Sequence, residues 1–473
     1  MTPEEFREAG HQLIDWIADY RGHIEELPVK AQVNPGEIKN QFETEAPSVP
    51  IPFSDLLSLL DQRVTPGITQ TQSPMHFGWF PANASLASVL GDIASAGLGT
   101  LGISWESCPA LTEVEEVTVD WMRQLTGLSE KWKGTIQDTA STACLTALIA
   151  ARERASDFSL KHGGLQALPA AMIVYTTEEA HSSIEKSALL AGFGRNNLRI
   201  VNMDTKTRTM LPDELEKEIK KDLTDGRVPA AIIASCGSTG VTAFDPIAKI
   251  SEIARPHKIW VHVDAAMAGS AMLLPEERHL WAGVEGTDSL SWNPHKWMGT
   301  ILDTSLFFVK DHEHLIRVMS TNPSYLKSKV DGDVTQFRDW GIPLGRRFRA
   351  LKLWFHLALD GPENIRKRLR RDLTNARWLA EQVHATDNWE LIAPVTLQTV
   401  CVRHLPNGLD AKELDEHNVG WARRINDSGN AFVTPSCING SWMVRVSVGT
   451  ENTERRHVDT LWQLMRETAN QQL

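Results

Sequence analysis

Apolar positions change their period along the chain. Near the start, Phe6, Leu13, Ile14, Ile17 and Tyr20 recur at helical spacing and predict an amphipathic helix with one face to bury. So short an element needs a surface to pack on. Turn formers follow at Leu27-Pro28, at Asn34-Pro35-Gly36 and from Pro47 to Pro52, and read as an extended arm of the kind that embraces a partner subunit. From about residue 135 to 310, short β-branched or apolar runs alternate with helical stretches. The runs are Met172 to Tyr175, Leu198 to Val201, Ala231 to Ala234, Ile259 to Val263 and Thr304 to Val309, with a further strand expected at Asp288 to Ser291. Such alternation implies right-handed crossovers and an α/β fold with a mostly parallel sheet. Beyond Gly361 the pattern gives a helix, strands at Trp389 to Ile392, Leu397 to Val402 and Trp442 to Val446, and a terminal helix from Glu454. The expected organisation is a helical arm over 1–85, a large domain over 86–360 and a small α+β domain over 361–473.

Length and charge narrow the functional classes. A chain of 473 residues exceeds what one hydrophobic core serves, and 42% hydrophobic with 23% charged residues is ordinary globular usage. The net charge of −12 and the lack of a Lys/Arg stripe with interleaved aromatics argue against a nucleic-acid partner. No run approaches the ~18 apolar residues of a membrane span, and the start lacks a basic region followed by an apolar one, so a cytosolic protein is expected. The five cysteines are scattered without a Cys-x-x-Cys pair, and His262 with Asp264 lacks further ligands at metal spacing. Reduced thiols and no metal are expected.

Ligands of parallel sheets sit at the carboxyl ends of the strands, so chemistry is sought just after each run. Lys296 lies in Ser291-Trp292-Asn293-Pro294-His295-Lys296-Trp297, a Pro-fixed turn after a strand. Desolvation there lowers an amine's pKa, and a neutral amine is what imine chemistry needs. Alone, a lysine after a proline is an ordinary surface residue. Trp260 to Val263 ends in Asp264, which is either a helix cap or a carboxylate able to keep the pyridine nitrogen of pyridoxal 5'-phosphate (PLP) protonated, with Ala265 and Ala266 leaving room for a flat ring. The stretch from Gly134 to Ser141 runs into the helical segment Thr142 to Arg154, and its hydroxyls and N–H groups make either a plain N-cap or a phosphate seat. Thr239 after a further strand and His181 after another fall at the same sheet edge; His181 is suited to stacking on a planar ring.

In order, these stretches resemble the group II PLP-dependent amino acid decarboxylases, specifically the aromatic-L-amino-acid decarboxylases. The resemblance spans nearly the whole chain: Phe6 to Gly10, Ser73-Pro74 through Trp79-Phe80-Pro81, Ser104-Trp105, Pro109-Ala110 with Glu113, Phe337 to Trp340, and Leu344 to Arg349. It implies the aspartate-aminotransferase type of fold (fold type I), with helices on both sheet faces, in a homodimer with active sites at the interface. By resemblance Lys296 is the Schiff-base lysine, Asp264 pairs with the pyridine nitrogen, and His181 stacks on the ring. Ala140, Ser141, Thr239 and Asn293 hold the phosphate, His295 closes the site, and Ala266 lies against the cofactor.

PLP labilises any of three bonds at Cα, so the protein must select one. The resemblance makes Tyr325, in a polar stretch from Asn322 towards Arg338, the lid residue that protonates Cα after carbon dioxide leaves; relatives with Phe there tend to be aldehyde synthases. Trp79, Phe80, Leu101 and Ile103 match pocket positions and are apolar, which disfavours a second substrate carboxylate. Gly345 and Ala82 stand where relatives tend to carry Ser and Thr. Both changes favour tryptophan or phenylalanine over tyrosine, dopa or histidine, with breadth expected towards tyrosine, dopa and 5-hydroxytryptophan because no hydroxyl partner enforces exclusion. An aromatic aldehyde synthase and a glutamate-type decarboxylase are the alternatives on the same scaffold. A non-enzymatic homologue is disfavoured because Lys296, Asp264 and Tyr325 are all present.

Overall fold

The computed structural model describes residues 1–321 and 332–471. The chain divides into two compact units: Met1–Pro81 with Thr374–Ile392 and Val400–Leu473, and Ala82–Leu373 with Ala393–Thr399. No described helix is long and apolar enough to cross a membrane.

In the first unit, the opening helix is Pro3–Gly22. Thr2 caps it, its hydroxyl accepting from the Glu5 N–H while the Glu5 carboxylate accepts from the Thr2 N–H. The apolar face foreseen for it is not buried by this chain. Phe6 is 64% exposed, and only Ala9 of the whole helix is buried. The C-terminal part forms a four-stranded sheet from Trp389–Leu391 (β8), Thr399–His404 (β9), Thr434–Ile438 (β10) and Ser441–Ser447 (β11), in the order β10-β11-β9-β8. Trp389 meets Trp421 and Trp462 edge-on, with ring centroids 5.6 and 5.0 Å away, which ties β8 to the helices Ala411–Ser428 and Arg455–Ala469.

The second unit is built on seven strands: Lys133–Gln137 (β1), Met172–Thr176 (β2), Leu198–Ile200 (β3), Val228–Ser235 (β4), Trp260–Asp264 (β5), Ser289–Trp292 (β6) and Ser305–Val309 (β7). Their order is β1-β7-β6-β5-β4-β2-β3, and only the pairings of β7 are antiparallel. The mostly parallel sheet read from the alternating runs is therefore observed. One stretch differs from expectation. Gly134 to Gln137 is not a loop but strand β1, and the following helix is Ala140–Ala155, two residues longer at its start than the sequence suggested. A Lys and a Gly at the head of β1 hide its apolar character, and Gly134 is required because a Cβ there would lie 2.7 Å from both Phe308 and Val119.

Buried imidazoles stabilise this unit only while neutral. His262 in β5 is fully buried between two hydroxyls, Nδ1 being 2.9 Å from Ser289 Oγ and Nε2 3.2 Å from Ser291 Oγ, and burial pushes its pKa down to about 4. His356 is pushed down to about 3 by burial and the Arg368 charge. In the unfolded chain both titrate near 6.5, so between pH 6.5 and 4 the unfolded state takes up protons that the native state refuses. Stability should be insensitive to these groups above pH 7 and fall as the solution is acidified. His262 alone should account for about 2 kcal/mol at pH 5. Denaturant midpoints at pH 7.5, 6 and 5 test this, with His262→Gln expected to flatten the slope; equal slopes for both proteins would refute the assignment.

Candidate functional site

Register sets the geometry of the site. Ser235 pairs with Asp264 and Asp264 with Ser291, so the carboxyl ends of β4, β5 and β6 fall in line. Beyond that line the chains remain bonded: Cys236 N–H donates to Asp264 O at 2.8 Å, Ala265 N–H to Ser291 O at 2.9 Å, and Asn293 N–H to Ala266 O at 2.8 Å. Asp264 and the turn bearing Lys296 thereby belong to adjacent strands of one continuous edge. The Ala266 N–H donates to Asp264 Oδ1 at 3.0 Å, which fixes the carboxylate's direction.

Lys296 sits in the single turn Pro294–Met298, where its own backbone leaves helical geometry (φ −99°, ψ −113°). Gly299, at φ +109°, ends the turn; a side chain there would crowd Arg368 and His356. The turn is clamped from the helix Pro362–His384: Arg368 donates to the carbonyls of Trp297, at 2.7 Å, and Met298, and Trp297 Nε1 donates to Asp372 Oδ2 at 2.9 Å. Asn83 Nδ2 donates to Lys296 O at 3.4 Å. Sequence reading did not find Asn83, Arg368 or Asp372. The only local signal for Arg368 and Asp372 is a basic run on a helix far along the chain, which reads as a solvated face, and Asn83 has none.

The flanking imidazoles are neutral. His295 is buried, its Nδ1 accepts from the Thr304 N–H at 2.9 Å, and burial together with the Lys296 charge pushes it down to about 4. A backbone N–H can only donate, so the proton of His295 is on Nε2. His181 caps the helix Ser182–Leu190, and the Ser183 N–H donates to its Nδ1 at 3.2 Å. Its pKa is lowered first by desolvation and then by Lys296, against an opposing pull from Asp264. The three groups thus share one electrostatic neighbourhood. Cys144 lies in it too: burial drives its thiol up, and the Asp264 carboxylate drives it further.

The remaining positions divide. Gln137 at the end of β1 pairs with Ser305 at the start of β7, beside the end of β6, which brings the start of the helix Ala140–Ala155 to the same edge. Ala140 is buried and Ser141 exposed there, and the N-cap residue Thr139 makes no side-chain cap. Thr239 is half-buried in the loop after β4, where Gly237 (φ +83°) passes so close that a Cβ would meet that of Ala268 at 2.3 Å. Leu101 and Ile103 flank Gly102, whose N–H donates to Arg346 O at 3.0 Å, so this segment lies against Gly345. A Cβ on Gly345 would meet only Leu101, at 3.7 Å. Ala82 is exposed and next to Asn83. Trp79 and Phe80 belong to the other unit, where Trp79 packs on His76 and Phe432, and Arg445 stands 4.9 Å over the Phe80 ring. Tyr325 lies outside the described residues.

These residues fit PLP. Asn293 is buried with its Oδ1 unpartnered among the described residues, an amide with bonding capacity left over. The uncapped helix start offers first-turn N–H groups to a phosphate. The aligned carboxylate of Asp264 suits a protonated ring nitrogen.

Comparison with known proteins agrees. Residues 35–405 match the pyridoxal-dependent decarboxylase conserved domain. The chain is 38% identical to tryptophan decarboxylase 2 of Oryza sativa subsp. japonica over 482 residues, covering 100% of this chain and 96% of that protein. It is also 38% identical to a phenylacetaldehyde synthase of Arabidopsis thaliana over 479 residues, covering 99% and 97%. The crystal structure of Oryza sativa TDC with PLP and tryptamine superposes with a TM-score of 0.95 at 32% identity, covering 99% of this chain and 98% of that one. With its strand-end lysine and carboxylate on a fold-type-I sheet, this chain belongs to the pyridoxal-dependent decarboxylase family.

Proposed function

We propose that this protein decarboxylates an aromatic L-amino acid, with tryptophan or phenylalanine preferred, to the arylalkylamine and carbon dioxide. The observation that carries the reading is the register that sets Asp264 beside the clamped Lys296 turn. When bound, PLP supplies an electron sink for the charge left at Cα as the carboxylate departs. Lys296 is the residue that would hold it covalently, with Ala140, Ser141, Thr239 and Asn293 around the phosphate, His181 against the ring, and Ala266 and His295 closing the sides. Asp264 keeps a proton on the ring nitrogen. Neutral His181 and His295 add no positive charge beside the lysine, which would otherwise oppose that proton. Tyr325 delivers the proton to Cα, which makes amine the product; the resemblance of the chain supports this role.

Exposed apolar surface supports a homodimer. Leu86, Leu90, Ile93 and Leu98 (61% exposed) line one helix, Leu86–Leu98, and Phe6 and Ile14 are exposed on the opening helix. Apolar helix faces of this kind are seldom left to water, and a second copy embraced by the 1–85 arm would cover them. The free thiols, three of them buried, suit a reducing cytosol.

Incubating the purified holoenzyme with each aromatic amino acid and with glutamate, and identifying products by mass, should give amines from the aromatic set and little from glutamate. Borohydride reduction should label Lys296; label elsewhere, or none, defeats the proposal. Asp264→Asn should retain PLP and lower kcat by about 10²-fold, the scale on which removing one charge-stabilising group from a transition state slows a reaction.

Two substitutions probe selectivity. Because a Cβ at 345 meets only Leu101, Gly345→Ser should fold normally and lower kcat/KM for tryptophan relative to tyrosine by about tenfold; an unchanged ratio removes Gly345 from the pocket. Tyr325→Phe, assayed in air so that dioxygen is the oxidant reduced to hydrogen peroxide, should divert product from amine to aldehyde and ammonia. An unaltered amine yield would refute the proton-donor role.

A further inference from the structure

One buried ion pair in the second unit has no place in the chemistry above, yet it touches both halves of the site. The Arg346 side chain is 8% exposed and that of Glu115 is 1% exposed. Arg346 Nη2 donates to Glu115 Oε1 at 2.7 Å, to Thr135 Oγ1 at 3.1 Å and to Ile136 O at 2.7 Å. The same Glu115 oxygen accepts from Thr135 Oγ1 at 2.8 Å and from Ile136 N–H at 2.9 Å. The guanidinium carbon also stands 4.9 Å over the Phe337 ring. Glu115 comes from the helix Pro109–Thr126, Thr135 and Ile136 from β1, and Arg346 from the segment after Gly345.

Each end of this knot leads to the site. β1 runs through Gln137 directly into Thr139 and the helix Ala140–Ala155, the phosphate end of the proposed cofactor seat. Arg346 O holds the Gly102 N–H at 3.0 Å, and Gly102 is closely enclosed, since a Cβ there would sit 2.7 Å from the Leu111 side chain and 3.0 Å from Arg346 O. The Leu101–Ile103 segment and Gly345 are therefore fixed against each other by the residue whose side chain is fixed to β1. A buried pair is weak evidence of stabilisation, since two apolar residues of similar volume often serve as well. What such a pair supplies is direction: one guanidinium nitrogen is held among a carboxylate, a hydroxyl and a carbonyl while the planar group lies over Phe337.

We propose that Glu115 and Arg346 are positioning residues for ring selection, holding the Leu101/Gly345 wall at a fixed distance from the phosphate end of the site. This rests on the reading that Leu101, Ile103 and Gly345 face the aromatic substrate. Arg346→Lys keeps the charge but replaces a planar group lying over Phe337 with a shorter, flexible stem, so the wall loses its fixed direction. Thr135→Val removes one hydroxyl from the knot and leaves the ion pair.

The test measures kcat and KM for tryptophan and for phenylalanine in the holoenzymes of wild type, Arg346→Lys and Thr135→Val, with melting temperature and PLP absorbance alongside. Arg346→Lys should raise KM for the preferred ring about tenfold, bring the two kcat/KM values to within about threefold of each other, and leave kcat and bound PLP nearly unchanged. Thr135→Val should move KM and the ratio the same way by about two- to threefold, and it decides the matter if Arg346→Lys does not fold. A lower melting temperature with KM and ratio unaltered in the folded variants overturns the proposal and leaves the pair purely structural. Wild type turning over neither ring would instead overturn the function itself, a failure visible without any variant.

Discussion

The site depends on the parallel pairing of β4, β5 and β6. Parallel strands carry evenly spaced bonds, so a shift of one residue in β5 would turn Asp264 to the opposite face and His262 away from its two hydroxyls. Trp260, His262 and Asp264 alternate on one side of β5. The first is buried and donates to Ser289 Oγ, the second bonds Ser289 and Ser291, and the third is anchored by the Ala266 N–H. Each of these bonds is satisfied in a single register only. The position of the Asp264 carboxylate is thus fixed by hydrogen bonds two and four residues upstream of it.

Desolvation then sets the protonation states. Burial alone is enough to keep His262 and His295 neutral, and the positive charge of Lys296 reinforces it at His295 and His181. The same low-dielectric surroundings push Cys144 and Cys236 well away from thiolate, with Asp264 adding to the effect at both. Thiols held protonated do not compete with an amine for an aldehyde. Neither thiol therefore competes with the role proposed for the lysine.

Much of this was legible in the chain. β2 and β5 announce themselves through runs of β-branched and apolar residues, and His181 and Asp264 stand where such runs end. β1 was not legible, since Lys133 and Gly134 open it and its burial comes from Phe308 and Val119, distant in sequence. The clamp of Arg368 and Asp372 on the lysine turn was equally silent. Charged residues on a helix normally read as a solvent face, and only tertiary packing tells that Asp372 is fully buried, its carboxyl pushed up to about 6 by that burial. The opening helix shows the reverse case: its apolar face was plain in the sequence, while the surface that would cover it is not part of this chain's own fold.

The two ends of the site differ in how they are held. Asp264 ends β5 and Asn293 and His295 follow β6, two strands bonded on both sides, so altering them disturbs the scaffold. Leu101, Gly345 and Ala82, the positions proposed to face the substrate, are exposed on the chain, the first two lying beside the bond from Gly102 N–H to Arg346 O. Substitution there costs little stability, because surface changes away from buried contacts are usually worth under about 0.5 kcal/mol. Cofactor chemistry and substrate choice can then vary independently. That independence matches the two relatives above, a tryptophan decarboxylase and a phenylacetaldehyde synthase, which are equally similar to this chain at 38% identity. Overall likeness carries the cofactor and the fold, whereas on the proposed function the outcome at Cα and the ring accepted rest on a handful of side chains.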